Sequence, residues 1–151
     1  MKTKDIRINK ELIMKYKPCI EGVDNFNKHY TDISIKELIN SENISYYNKV
    51  WLLRYIVPVD LLVLWAIDSS FAAYEYSVIS SNYYAITAAV DAANAADYAI
   101  TAPYYAANAA ANAATNAAYY AITAADYAAN GASAQNDRLQ SLLYFIENEG
   151  E

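Results

Sequence analysis

Polar and aromatic side chains recur every three or four positions through the alanine-rich stretch 83–131. Residues at that spacing share one face of an α-helix, and alanine is the strongest helix former, so the pattern predicts helix throughout. The remaining circumference is mostly alanine, with Ile86, Val90 and Ile100 inserted. An alanine surface buries little area alone, which predicts a closely packed partner helix in the same or another chain. The polar face consists of Thr87, Asp91, Asn94, Tyr98, Thr101, Tyr105, Asn108, Asn112, Thr115 and Tyr119.

The alanine-rich stretch repeats itself, and one proline interrupts it. The letters YAIT begin at Tyr84, Tyr98 and Tyr120, and the first two copies lie two heptads apart. Pro103 removes a backbone hydrogen bond and clashes with the preceding turn, so we expect the helix to break or kink sharply there. Gly131, which follows Asn130, is expected to cap the C-terminal end of the stretch.

Short helices bounded by caps and prolines are predicted before residue 60. The N-cap candidates are Asn9, Ser34 and either Asn43 or Ser45. Ser34 followed by Glu37 is a capping box, and apolar residues at helical spacing predict another short helix over 20–30. Pro18 and Pro58 end the helices that precede them, because the residue before a proline is pushed out of the helical region.

Two more helices complete the prediction. From Leu61 to about Tyr76 the chain is apolar nearly all round, which is typical of a central core helix. A last helix opens at Ser133 or Asn136, with apolar residues on one face, and leads into an acidic tail. The predicted large core residues are Trp51, Leu53, Leu61, Leu64, Trp65 and Phe71.

These elements predict an all-α fold in a single domain. We expect a compact bundle of short N-terminal helices packed on a long Ala/Tyr-rich helix that is broken or kinked near Pro103, plus a C-terminal helix. The single domain 1–151 divides into a short-helix apolar core (1–81), the Ala/Tyr-rich repeat helices (82–131) and the C-terminal helix with its tail (132–151).

Charge is distributed unevenly along the chain and limits its partners. The net charge is −6, and not one Lys or Arg occurs between Arg54 and Arg138. An acidic surface repels nucleic acid phosphates and anionic membranes, so we expect neither as a partner and expect a basic protein surface instead. The longest apolar run, 61–67, is too short to span a bilayer, and no secretory signal is apparent, which predicts a cytoplasmic protein.

No catalytic or cofactor signature accompanies this pattern, so we expect a non-enzymatic protein without cofactor or metal. The only histidine, His29, lies in a polar stretch and is predicted to be a surface residue. The only cysteine, Cys19, has no nearby histidine or second cysteine and is predicted to be a buried structural thiol. Three glycines in the whole chain are too few for a phosphate-binding loop.

Several short motifs, taken in order, resemble the alanine-rich immunity protein family of bacteria and phages. They are the Pro18-Cys19-x-x-Gly22 segment, the Trp51-x-x-Arg54 helix, the apolar WAIDSSF segment at 65–71 and the long run of Ala pairs. This chain differs in using Tyr, Asn and Thr where the family often has Trp and Arg between the Ala pairs. The resemblance implies a helical binding protein that neutralises a bacterial toxin or a defence component, and it carries no functional residue over.

Ten of the sixteen tyrosines lie between Tyr74 and Tyr127, and tyrosine is favoured at interfaces. The first hypothesis is therefore an immunity or anti-defence inhibitor that binds its target protein through the acidic Tyr/Asn-rich face. The predicted contacts are Asp91, Asn94, Tyr98, Tyr105, Asn108, Asn112 and Tyr119. Alternatives are a self-assembling helical module that forms a homo-oligomer through its Ala stripe, and a small-ligand sponge with a Tyr/Asn-lined pocket. Ice binding by Thr87, Thr101 and Thr115, and lastly an enzyme, remain further hypotheses.

Overall fold

Eight α-helices and one small β-ribbon make up the part of the chain that the computed structural model describes, residues 1–77, 82–101, 106–127 and 131–150. A single 3-10 turn, Thr3–Asp5, precedes the ribbon. The strands are β1 (Arg7–Asn9) and β2 (Asp32–Ser34). The helices are α1 (Lys10–Met14), α2 (Ile20–His29), α3 (Ile35–Asn40), α4 (Tyr46–Ile56), α5 (Val59–Ser77), α6 (Asn82–Thr101), α7 (Ala106–Tyr127) and α8 (Gly131–Glu147). The predicted all-α class is confirmed.

The predicted caps form where the sequence places them. The Asn9 side chain accepts a hydrogen bond from the Leu12 backbone N–H at the start of α1, and the Ser45 side chain caps α4. At α3 the capping box is complete. The Glu37 N–H donates to the Ser34 hydroxyl oxygen at 3.1 Å, and the Ser34 N–H donates to the Glu37 carboxylate at 2.7 Å. These local bonds satisfy amide groups that a helix N-terminus otherwise leaves unpaired.

The β-ribbon was not predicted, because strands of three residues are too short to show alternation in a sequence. Strands β1 and β2 pair in antiparallel fashion with Ile8 opposite Ile33, and both side chains are buried. On the outer side, the Arg7 guanidinium contacts the Asp32 carboxylate at 2.6 Å. The ribbon therefore joins α1 to α3 and contributes two isoleucines to the core.

Helices α5, α6 and α7 pack against one another along their lengths. The rings of Tyr84, near the start of α6, and Tyr120, near the end of α7, stack at 6.3 Å, so these two helices run antiparallel. Because α6 and α7 lie side by side in antiparallel orientation, the alanine-rich stretch is not one continuous helix, which confirms the predicted interruption. Pro103 itself lies outside the described residues.

Helix α7 packs against four other helices, α4, α5, α6 and α8. Its alanines make this possible, since small side chains let helix backbones approach closely. Buried alanines of α7 are Ala110, Ala111, Ala113, Ala114, Ala117, Ala118, Ala121, Ala124 and Ala125. The partner helices that the sequence required are therefore present within the same chain.

Two members of the predicted core list are wrong. Leu53, Leu61 and Trp65 are buried and Trp51 is half-buried, but Leu64 is 45% and Phe71 66% exposed. Helix α5 is apolar all round, so its sequence does not indicate which side the other helices will cover. Its neighbours α6, α7 and α8 cover one side only, and Leu64 and Phe71 lie on the other.

Polar contacts hold α8 against α5. The Trp65 indole N–H donates to the Arg138 carbonyl oxygen at 2.8 Å, and the Arg138 guanidinium donates to the Asp68 carboxylate at 2.7 Å. The Ser141 hydroxyl donates to the same carboxylate.

Gly131 is the first residue of α8, so its predicted role as a cap that follows α7 is wrong. None of the described helices combines the length and apolar character needed to cross a bilayer.

The close packing of α7 predicts that it tolerates no larger side chain. We expect Ala117→Leu to lower the free energy of unfolding by about 1–3 kcal/mol, because the added atoms enter a filled interior. The matched control is Ala93→Leu on the exposed side of α6, which should change that free energy by less than about 0.5 kcal/mol. Urea denaturation followed by circular dichroism measures both, and equal effects would contradict the packing described here.

Candidate functional site

The α6 half of the predicted binding face lies partly exposed along one side of that helix. Asn94 and Tyr98 are exposed, and Asp91 is half-buried. Asp91 follows Tyr84 by seven positions, so helical spacing places it towards the side of α6 that carries the ring contact with α7. Tyr98 lies between that side and the exposed Asn94, at the edge of the outer surface of α6.

The α7 half of the predicted face is also open to solvent, but it borders two different helices. Asn108, Asn112 and Tyr119 are exposed. Tyr119 lines a hollow of about 220 Å³ with residues of α4, including Trp51 and Arg54. Tyr119 and Tyr120 point about 100° apart on the helix, so one meets α4 and the other meets α6.

The predicted site residues thus do not form one continuous stripe. Because the chain turns back between α6 and α7, the half of the predicted face on α6 lies beside the half on α7. Together the two halves line an open strip along α7, which has α6 on one side and α4 on the other. Arg54 lies on the α4 side of the strip, in the same hollow as Tyr119. Tyr105, also predicted as a contact, lies outside the described residues.

Two of the three threonines on the predicted face donate hydrogen bonds within their own helix, and the side chain of the third, Thr101, lies outside the described part of the chain. The Thr115 hydroxyl donates to the Ala111 carbonyl oxygen at 2.8 Å, and the Thr87 hydroxyl donates to the Tyr83 carbonyl oxygen at 2.9 Å. Such hydroxyls retain acceptor lone pairs but have no free donor proton. The two donor protons are therefore not directed at a ligand or an ice surface.

Asp91 is the electrostatically unusual member of the strip. Partial burial beside α7 raises the pKa of its carboxyl above the ordinary value, because water that would stabilise the charge is excluded. A carboxylate that is destabilised in a groove is a candidate for contact with a cation. Removal of the Asp91 carboxylate should therefore increase the stability of the fold and weaken the binding of a cationic group.

The predicted residues Asn94 and Tyr98 belong to a larger exposed surface whose other members were not predicted. We define this surface, the outer face of α6, as Tyr83, Ile86, Val90, Asn94, Asp97 and Tyr98. The pattern assigned Ile86 and Val90 to the circumference that packs on another helix, yet they are 63% and 53% exposed. Helix α6 is covered by α5 and α7 on its Ala88, Ala92 and Ala95 side only. Aliphatic residues among alanines indicated burial. Ile86 and Val90 are exposed because too few helices surround α6 to cover them, and a single sequence does not show the number of neighbouring helices.

The chain also places its single cysteine differently from expectation. Cys19 is an exposed free thiol, so its predicted burial is wrong. It is the N-cap residue of α2, directly after Pro18, where the chain enters the helix from the surface. His29 is exposed, as predicted. Across the described ranges, no group of three or more His, Cys, Asp or Glu side chains is arranged to hold a metal ion.

The raised pKa of Asp91 makes a pH-dependent prediction. Between its unfolded-state and folded-state pKa values the folded chain binds more protons, so this group makes stability fall as the pH rises through that window. We expect Asp91→Asn to increase the free energy of unfolding near neutral pH, and the gain to disappear below a pH of about 3.9. Urea denaturation at several pH values measures it, and a difference that does not change with pH would contradict the assigned cause.

No protein-family model, no curated protein and no solved structure matches the chain. The geometry of its own residues is therefore what indicates a function.

Proposed function

We infer that this chain is a non-enzymatic binding protein, and that the outer face of α6 binds a basic surface of another protein. The observation that carries the proposal is the exposure of large side chains on this edge helix. Tyr83, Ile86, Val90 and Tyr98 project from it, with Asn94 and Asp97 exposed among them. Interfaces concentrate their binding energy in such aromatic and aliphatic anchors, surrounded by polar groups that pair at the rim.

Charge defines the chemistry of the partner. No Lys or Arg occurs between Arg54 and Arg138, whereas Asp91 and Asp97 lie on α6 itself. A partner with Lys or Arg around an apolar patch would pair with these carboxylates and gain association rate through electrostatic steering. A second copy of the chain, docked through the same face, would bring like charges together. The charge pattern therefore favours a different, basic protein.

The biological role we propose is neutralisation of that partner. The short motifs described above resemble alanine-rich immunity proteins, which suggests a bacterial toxin or a defence component as the target. Toxins and defence proteins that act on nucleic acids need basic surfaces, because their substrates are polyanions. An acidic helical face that covers such a surface would block access of the nucleic acid.

Photo-crosslinking at matched tyrosines tests the proposal. Tyr98 is 41% and Tyr144 63% exposed, and they lie on different helices, α6 and α8. We would replace each in turn by p-benzoylphenylalanine and irradiate the tagged chain in bacterial lysate. We expect a crosslinked heterologous protein from Tyr98 and none from Tyr144, with a yield that falls as salt screens the charges.

Substitution at one exposed position of the same face supplies the electrostatic control. Asn94→Lys should lower the crosslinking yield at Tyr98 by about tenfold, because it repels a basic partner, whereas Asn94→Glu should preserve or increase it. A yield that is insensitive to the sign of the charge would exclude a basic partner. A crosslinked species with twice the mass of the chain would identify a second copy instead.

A second candidate function, self-assembly, is favoured by one observation on α5. Leu64, Ile67, Phe71 and Tyr74 follow one another at steps of three or four and are all exposed. The alanines Ala88, Ala95 and Ala117 are already buried within the chain, so another copy would dock on the exposed apolar row of α5 instead. Sedimentation equilibrium should then show a mass that rises with concentration and returns to that of the monomer in Phe71→Ser.

A further inference from the structure

An apolar cleft opens between the start of α2 and the exposed side of α4, away from the Ala-rich helices. Its volume is about 360 Å³. Buried side chains such as Phe26, Leu38 and Leu52 form its floor, and Trp51 is half-buried at its wall. Small-molecule sites are concave, mostly apolar and about 300–1,000 Å³ in volume, and this cleft falls within that range.

Residues from two short sequence segments that lie about thirty residues apart border the cleft. Pro18, Cys19 and Gly22 border it on one side, and Trp51 on the other. Lys17, just before Pro18, has a positive φ of 53°, an uncommon conformation for a residue with a side chain, and this turn leads the chain into α2. Residues of two segments, neither of which forms part of the outer face of α6, therefore lie around one concave surface.

Gly22 lies at the border of the cleft, close to two of its other lining residues. A Cβ atom at this position would lie 3.1 Å from the Cys19 sulfur and 3.9 Å from the Asn48 amide nitrogen, both of which border the cleft. The first distance is shorter than an ordinary van der Waals contact, so a larger side chain at Gly22 would displace Cys19 and change the shape of the cleft at its mouth.

The mouth of the cleft continues into a polar groove. Cys19, Gly22 and Asn48 line both the cleft and the groove. Further along, the groove is lined by neutral polar side chains such as Asn25 and by the charged side chains of Glu21, Asp24 and Lys28. Among the described residues that line the cleft itself, none is Lys, Arg, His, Asp or Glu. A molecule that spans both would therefore place an apolar part inside and a hydrogen-bonding part outside, without a charge to pair in the cleft.

We propose that this cleft binds a neutral amphipathic aromatic molecule, with its rings between Gly22 and Trp51 and its polar end at Asn48. The volume is more than twice that of the roughly 150 Å³ cavity that accepts benzene, so two fused or linked rings fit. Trp51 provides an aromatic wall for the rings. The Asn48 amide offers both a donor and an acceptor at the mouth. This site is separate from the outer face of α6 and does not depend on it.

The test uses the neutral fluorophore N-phenyl-1-naphthylamine, which has linked rings and brightens in apolar surroundings. We expect saturable binding to the full chain, and a loss of affinity of about tenfold or more in Gly22→Leu. The control is Phe71→Ser, which removes an exposed apolar side chain elsewhere and should leave the affinity unchanged. Loss of affinity in Phe71→Ser but not in Gly22→Leu would place the fluorophore on α5 and overturn the proposal.

The native cysteine supplies a second readout that needs no substitution. Cys19 is the only cysteine in the chain, is exposed, and lies at the mouth of the cleft. A saturating concentration of the fluorophore should slow its reaction with a disulfide reagent such as 5,5′-dithiobis(2-nitrobenzoate) by about tenfold or more. An unchanged labelling rate at saturation would overturn the proposal, even if Gly22→Leu fails to fold.

Discussion

The close approach of alanine-rich helices is the constraint on which the rest of this structure depends. Helix α7 is covered by α4, α5, α6 and α8, and Ala117 and Ala124 are fully buried among them. Each alanine buries little area, so the arrangement is stabilised by many close contacts between the helices, together with the larger buried side chains of α4 and α8. Because α7 occupies the centre, its neighbours each have one side that no other helix covers. The exposed surfaces of α5 and α6 follow from that geometry.

Local chemistry made much of the fold predictable from the sequence. The capping box at Ser34 and Glu37, the Ser45 cap and the break between α6 and α7 all depend on a few adjacent residues, and all are present. Arrangement in space was less predictable. Leu64 and Phe71 resemble core residues in every local respect, and only the placement of neighbouring helices leaves them exposed. The same reason explains the exposed Ile86 and Val90.

The candidate surfaces differ in how far the sequence indicated them. Periodicity identified Asn94 and Tyr98 as members of a polar face, and both are exposed. The pattern did not show that the stripe folds back on itself, nor that Tyr119 borders α4 while Tyr120 meets α6. The cleft near Cys19 was beyond the reach of pattern analysis, since it requires α2 and α4 to meet across about thirty residues of chain. Sequence periodicity describes the faces of one helix, and concave sites arise between elements.

The bond between Arg138 and Asp68 has a consequence for enzymes that act on the protein itself. Arg138 is the first Lys or Arg after Arg54, and its side chain is only 13% exposed while it is paired with α5. Trypsin-like proteases cleave after Lys or Arg, and enzymes that acylate or ubiquitinate proteins usually need a lysine amine. Helices α5, α6 and α7 offer neither residue, so the native bundle gives such enzymes no point of attack between α4 and α8. Helices α5, α6 and α7 thus contain no cleavage site for basic-residue proteases, because they have no Lys or Arg, whereas the N-terminal part of the chain contains ten such residues.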